Sequence, residues 1–380
     1  MHRHQKGNVP SPEELVARVT DLFSDACYEE IREIMVEQAK LLEAQHTEGI
    51  LAFTKWAQSF ERILVRKPGK RFHVDAWFAS GVAADLGTVV PLSRTLIPFY
   101  LGEWAYFLPP QPRLKGNGSR LIYGISFPGS DVLNDVHLLQ YPWLYHEATH
   151  HLLDRVDPQD FEPVRMALAT VLRKERGRTP SSSPEVRSIV TDRLNRYERF
   201  WSPDIAIDNW TIEIVADVIS LWTCGPAFLG AFRDEMENAG NRPFEAHETH
   251  PPFSLRAALL IEVGEVLGWD EYLRSLRHVV RQWKHERPEA SAHNDYAAMT
   301  GGDLPTVVLK TALTLCRNLQ LPRCTMESIE GLRQWIAIPQ SADSAFQLIV
   351  GSWLKEHDQP DTFASWETSS LELLQRELTR

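Results

Sequence analysis

Residues 146 to 150 read His-Glu-Ala-Thr-His, and this stretch is where the chain has the means to do chemistry. On an α-helix two histidines four apart share one face, roughly 6 Å apart along the axis at about 1.5 Å per residue, which suits a single tetrahedral ion. Glu147 stands one residue round the helix, where its carboxylate meets a metal-bound water rather than the metal itself. With 14 histidines among 380 residues, such a pentapeptide arises by chance in roughly one of a few tens of comparable chains, so the surroundings must carry the argument.

Downstream, residues 210 to 220 read WTIEIVADVIS and place Glu213 and Asp217 four apart on a helix otherwise dominated by Ile, Val and Ala. Two carboxylates on an apolar helix are costly to bury without partners. Glu213 as third metal ligand and Asp217 as acceptor from a ligand imidazole would satisfy both. Three protein ligands leave a fourth position for water, whose pKa a catalytic zinc lowers to about 7, with Glu147 as its base. Thr249-His250-Pro251 and Arg256 follow after a polar stretch and offer a cationic donor pair. His250 is the first choice to stabilise an oxyanion, with Tyr145 and Tyr197 as further candidates. Arg256 reads as a clamp on Asp217 or a nearby carboxylate. The Thr-His-Pro turn also works as a helix start, with Pro251 and Pro252 entering the next helix. His151 reads as a structural histidine, and Trp104, Trp143, Trp201, Trp210 and Trp222 read as core.

Taken in order, HEATH, then IEIVAD with its ExxxD spacing, then THPPFSLR with its THPxxxxR spacing, resemble the gluzincin metallopeptidases, specifically the group containing the CAAX prenyl proteases and the HtpX-type quality-control proteases. The resemblance covers about residues 120 to 265. It implies a Zn2+ cofactor, peptide-bond hydrolysis and ligands at His146, His150 and Glu213. It also implies Glu147 as the base, Asp217 supporting a ligand, and His250 with Arg256 closing the active site. Prominent members are membrane-embedded, whereas no stretch of this chain approaches 18 uncharged apolar residues, so soluble members are the nearer comparison.

The elements expected to position these residues are mostly helical. From Pro12 to about Val65 apolar residues recur at helical spacing (Leu15, Val19, Leu22; Ile31, Ile34, Met35, Leu41, Leu42). A boundary falls near Pro109-Pro110-Gln111-Pro112. Arg120 to Phe127 is the best strand signal, either a substrate-binding edge or an interior strand. Pro142 offers a first helical position for the segment with both histidines, and Asp208 offers an N-cap for a helix closed by Gly225-Pro226. Arg173 to Ser188, polar and rich in Ser and Pro, reads as an exposed loop. Helices follow from Ala227 to Ala239, from about Pro252 to Leu267 and from Asp270 to about His285, and the tail from Asp303 is helical in pattern. The fold expected is mainly α with a small β-sheet (α+β), a zincin-like metallopeptidase core at residues 116–285 flanked by helical regions at 1–115 and 286–380.

Composition narrows the functions available. At 43% hydrophobic and 24% charged residues the chain has the balance of an ordinary globular protein. A net charge of -11 without a dense basic block argues against nucleic acid as a partner. The opening MHRHQKGNVPSPEE lacks the apolar core of a signal peptide. Cys27, Cys224, Cys316 and Cys324 form no CxxC pair and are expected reduced and mostly buried. The expectation is a cytoplasmic zinc-dependent endopeptidase acting on a protein or peptide substrate. The alternative is a zinc-bearing helical interaction protein with a structural metal. Glu147 favours the enzyme, since structural sites usually close the fourth position with Cys or His.

Overall fold

A helix apolar on every side must be covered on every side, and Trp210–Cys224 meets that condition with all of its residues buried. The computed structural model in which this is seen describes residues 12–22, 32–33, 36, 71–87, 96–100, 105–107, 123–127, 137–153, 156–178, 184–203, 209–238, 243–245, 247, 249–283, 302–338 and 340–378. In chain order its helices are α1 (Pro12–Leu22), α2 (Arg71–Leu86), α3 (Trp143–Leu153), α4 (Glu162–Arg178), α5 (Pro184–Trp201), α6 (Trp210–Cys224) and α7 (Pro226–Asn238). They continue as α8 (Phe253–Leu267), α9 (Arg274–Trp283), α10 (Leu304–Asn318), α11 (Met326–Trp335), α12 (Ala345–Asp358) and α13 (Pro360–Leu378). Three short strands, β1 (Leu96–Tyr100), β2 (Ala105–Phe107) and β3 (Tyr123–Phe127), lie between α2 and α3 in sequence.

Two compact units divide the chain. One comprises Met1–Ala83, Pro91–Val136 and Leu374–Arg380; the other comprises Ala84–Val90 and His137–Leu373. In the first, the strands form a sheet of order β1-β3-β2, with β3 parallel to β1 and antiparallel to β2. The strand expected at Arg120–Phe127 is therefore seen at Tyr123–Phe127. A neighbour on each side makes it the interior strand of this sheet, with no edge left for substrate pairing.

The second unit holds every residue of the expected site, and its described residues form helices and turns with no strand among them. This overturns the α+β expectation. The chain is mainly α, and the unit that bears the histidines is no zincin-like α+β core. The physical reason is length and burial. Short aromatic and β-branched runs between residues 96 and 127 supply the strands, whereas the β-branched stretch Trp210–Cys224 is 15 residues long, more than a usual strand, and buried on every side, where packing overrides strand propensity.

A second correction concerns Arg173 to Ser188. Helix α4 runs to Arg178 and α5 begins at Pro184, which leaves only 179–183 outside the described residues. Arg173, Lys174, Glu175 and Arg176 are polar but strong helix formers, and Pro184 sits at a helix start where its missing N–H costs nothing. Polarity there marks a solvated helix face rather than a loop.

Within the second unit α6 is the axis, packed against α3, α8 and α10. Two of its hydroxyls are satisfied within the helix: Ser220 Oγ donates to the Ala216 carbonyl at 2.7 Å, and Thr223 Oγ1 donates to that of Ile219 at 2.8 Å. Asn209 caps the start, its side chain accepting from the Ile212 N–H. Asp208, the expected cap, lies outside the described residues. Gly225 ends α6 with φ +58°, a conformation open to glycine, and a Cβ there would stand 2.7 Å from Cys324 Sγ. Cys224, Cys316 and Cys324 are reduced and buried, while Cys27 lies outside the described residues. No described helix is long and apolar enough to cross a membrane.

At Gly230 of α7 an added Cβ would clash with the Trp353 indole of α12. The indole is held in the core and cannot swing aside as a flexible chain end would. Gly230→Ala is expected to destabilise the fold by at least ~1–3 kcal/mol, the cost of overpacking. A denaturant midpoint equal to wild type would show that the two helices can part at little cost.

Candidate metal centre

Helix α3 is buried along its full length, which fixes its rotation and hence the direction of each imidazole. Tyr145 anchors it by donating its hydroxyl to Asp85 Oδ2 at 2.7 Å, and Thr149 Oγ1 donates to the Tyr145 carbonyl at 2.7 Å. Ahead of the helix, the Leu138 N–H donates to the buried Glu367 carboxylate at 2.7 Å, holding the entering turn. Helix α6 packs along α3 and presents Glu213 from its first turn, where the partial positive charge of the helix start favours a carboxylate.

His146, His150 and Glu213 each bring a ligand atom to one point, all within 4.8 Å of one another. His146 Nε2 lies 3.4 Å from His150 Nε2 and 3.3 Å from Glu213 Oε2, and His150 Nε2 lies 3.5 Å from Glu213 Oε1. Bonds of about 2.0–2.1 Å to one ion place tetrahedral ligand atoms roughly 3.3–3.4 Å apart. The separations match that edge length and exceed the usual 2.7–3.2 Å of a hydrogen bond. Glu213 Oε2 is buried without a hydrogen-bond partner, an expense that a cation at this point would remove. The donor set therefore fits a metal ion; two imidazoles and one carboxylate suit zinc and other borderline divalent ions alike.

Asp217, one turn after Glu213, stands with Oδ1 3.0 Å from His146 Nδ1, the ring nitrogen facing away from the cluster. Its carboxylate is gripped by Arg256, which donates from Nε to Oδ2 at 2.7 Å and from Nη2 to Oδ1 at 2.6 Å. Arg256 is itself buried, with its guanidinium 5.6 Å from the Trp143 ring centroid, 5.2 Å from Phe232 and 5.9 Å from Phe253. This is the clamp on Asp217 anticipated from the sequence. Its guanidinium meets Asp217 and the surrounding rings, where the resemblance has Arg256, with His250, close the active site.

The Glu213 and Asp217 carboxylates favour positive charge at His146. Burial raises Glu213 and Asp217, but the imidazoles outweigh it at Glu213 and Arg256 outweighs it at Asp217, so both carboxyls are held below their ordinary values. Burial likewise opposes charge on His146, yet Asp217 and Glu213 prevail and push it up to about 10. His150 is lowered to about 4, chiefly by burial, with Glu213 acting against the shift.

Glu147 is buried on α3 between the two histidines and contributes no atom to the ligand cluster. His250 belongs to the mouth of the site, with its side chain 56% exposed and Nε2 3.6 Å from Glu213 Oε2. Thr249 Oγ1 lies 2.7 Å from His250 Nδ1 and sets the ring's direction. The loop is fastened from below by Trp210 Nε1, which donates to the His247 carbonyl at 2.9 Å. Of the other oxyanion candidates, Tyr145 spends its hydroxyl on Asp85, and Tyr197 packs against Trp201 on α5. His151 is fully buried and outside the ligand cluster.

Asp217→Asn is expected to weaken metal binding about 10 to 100-fold without unfolding the protein, because the amide cannot carry the charge that Arg256 and His146 share. Competition with a chromophoric chelator measures this, and wild-type affinity would reduce Asp217 to a structural ion pair. No family model, curated protein or solved structure matches the chain.

Proposed function

We propose that the protein is a zinc-dependent endopeptidase of gluzincin ligand type, with His146, His150 and Glu213 holding the ion and Glu147 acting as base. The observation that carries this reading is the spacing of three buried ligand atoms beside a glutamate that is not a ligand. Zinc, when bound, supplies Lewis acidity and lowers the pKa of water to about 7. Glu147 accepts the proton released as water attacks the scissile carbonyl and returns it to the leaving amine. His250, exposed at the mouth, donates to the oxygen on which negative charge develops. Asp217 keeps His146 oriented, and Arg256 keeps Asp217 ionised and in place. The exposed His250 side chain is consistent with a protein or peptide substrate approaching from solvent.

The test is cleavage of a denatured, alkylated protein by the zinc-loaded chain, with products identified by mass spectrometry. Internal cleavages that vanish with a chelator support the reading. A fully loaded protein that cuts neither this substrate nor short peptides counts against it.

A further inference from the structure

Trp143 lies one turn before His146 on α3, and its indole touches both halves of the apparatus described above. Its ring meets the His146 imidazole edge to face, with centroids 5.3 Å apart and planes at 74°, and it also lies beneath the Arg256 guanidinium at 5.6 Å. The contacts close a circuit. Trp143 meets His146, His146 Nδ1 meets Asp217 at 3.0 Å, Asp217 is held by Arg256 at 2.6 and 2.7 Å, and Arg256 returns to Trp143. The indole is in turn wedged by Phe228 at 5.4 Å and Phe232 at 6.2 Å, so its position is set by α7 as well as by its own helix.

We propose that Trp143 is a positioning residue of the metal centre, keeping His146 and Arg256 in the relative places that allow one carboxylate, Asp217, to serve both. The proposal rests on the metal reading above. Two hydrogen bonds fix the guanidinium in the carboxylate plane but leave its tilt to the rings that face it. The His146 ring, pivoting about its own side-chain bonds, is limited by whatever stands against its face and edge. One rigid indole bears on both, beside Phe228 stacked on the imidazole at 6.3 Å and Phe232 facing the guanidinium at 5.2 Å, and a flexible aliphatic chain of smaller volume does neither. An indole that only filled space would act on folding and would be indifferent to the state of Asp217.

The experiment compares wild type with Trp143→Leu, Trp143→Phe, Asp217→Asn and the Trp143→Leu/Asp217→Asn double variant. Zinc affinity is read by chelator competition and the cobalt(II) visible spectrum reports ligand geometry, with thermal melts as the folding control. Trp143→Leu should weaken zinc binding by about tenfold and displace the cobalt bands, and Trp143→Phe should recover most of both. Because both residues act through one imidazole, the double variant should bind within about threefold of Asp217→Asn alone. Losses that multiply in the double variant, or wild-type affinity in Trp143→Leu, would overturn the proposal. If the leucine variant fails to fold, Trp143→Met, which keeps more volume without a rigid ring, combined with Asp217→Asn answers the same coupling question. A wild-type chain that binds neither zinc nor cobalt would remove the metal reading and the proposal together; normal wild-type binding with an indifferent Trp143 removes the proposal alone.

Discussion

Replacing Glu147 by Gln is expected to cut turnover by about 10² to 10⁴-fold while zinc content stays near one ion per chain. The substitution keeps the shape of the side chain, and Glu147 contributes no atom to the cluster of His146, His150 and Glu213. What is lost is a group able to take a proton from water and pass it to the leaving amine. The measurement pairs atomic spectroscopy of the purified variant with cleavage of a denatured protein. Wild-type turnover in this variant would end the role given to Glu147 even if the metal site stands.

Glu213→Gln should fail in the opposite order. Glu213 supplies the only negative charge in the ligand cluster, and it is held ionised below its ordinary value by the imidazoles around it. A neutral amide of the same shape is a poor ligand for a divalent ion, so zinc is expected to leave first and activity to follow, partly restored by excess metal. Equilibrium dialysis separates the two cases, since Glu147→Gln keeps its metal at concentrations where Glu213→Gln does not. Equal retention by both variants would mean that Glu213 is not a ligand.

The site was more legible in the sequence than the fold around it. Two histidines four apart, and a glutamate and an aspartate four apart on an apolar helix, report the 3.6-residue period directly, so the sequence implies the ligand cluster and a contact from Asp217 to a ligand imidazole, while only the structure shows that this imidazole is His146. Arg256 could be paired with Asp217 because a buried carboxylate needs a counter-charge. Trp143 reads as core from the sequence and is buried, and its spacing of three residues from His146 places the two rings on one face.

The fold class failed for a different reason. Tyr123–Phe127 is a strand, yet a strand signal says nothing about which unit it joins, and the histidine-bearing unit holds none among its described residues. Residues 173–188 misled because charge and serine content were read as a break, when Arg173 to Arg176 carry helix propensity as well as charge. The choice between Asp208 and Asn209 as cap turns on a one-residue shift in where the helix begins, which composition does not resolve.

One titration tests the central claim most directly. Metal-free protein is loaded stepwise with zinc, and on each sample bound metal and the rate of internal cleavage of a denatured protein are measured together. The account predicts that activity rises in proportion to occupancy and levels off at about one ion per chain, with His150→Ala showing neither binding nor cleavage over the same range. Full occupancy in wild type without any cleavage would contradict it and leave the metal as a structural element of a helical interaction protein.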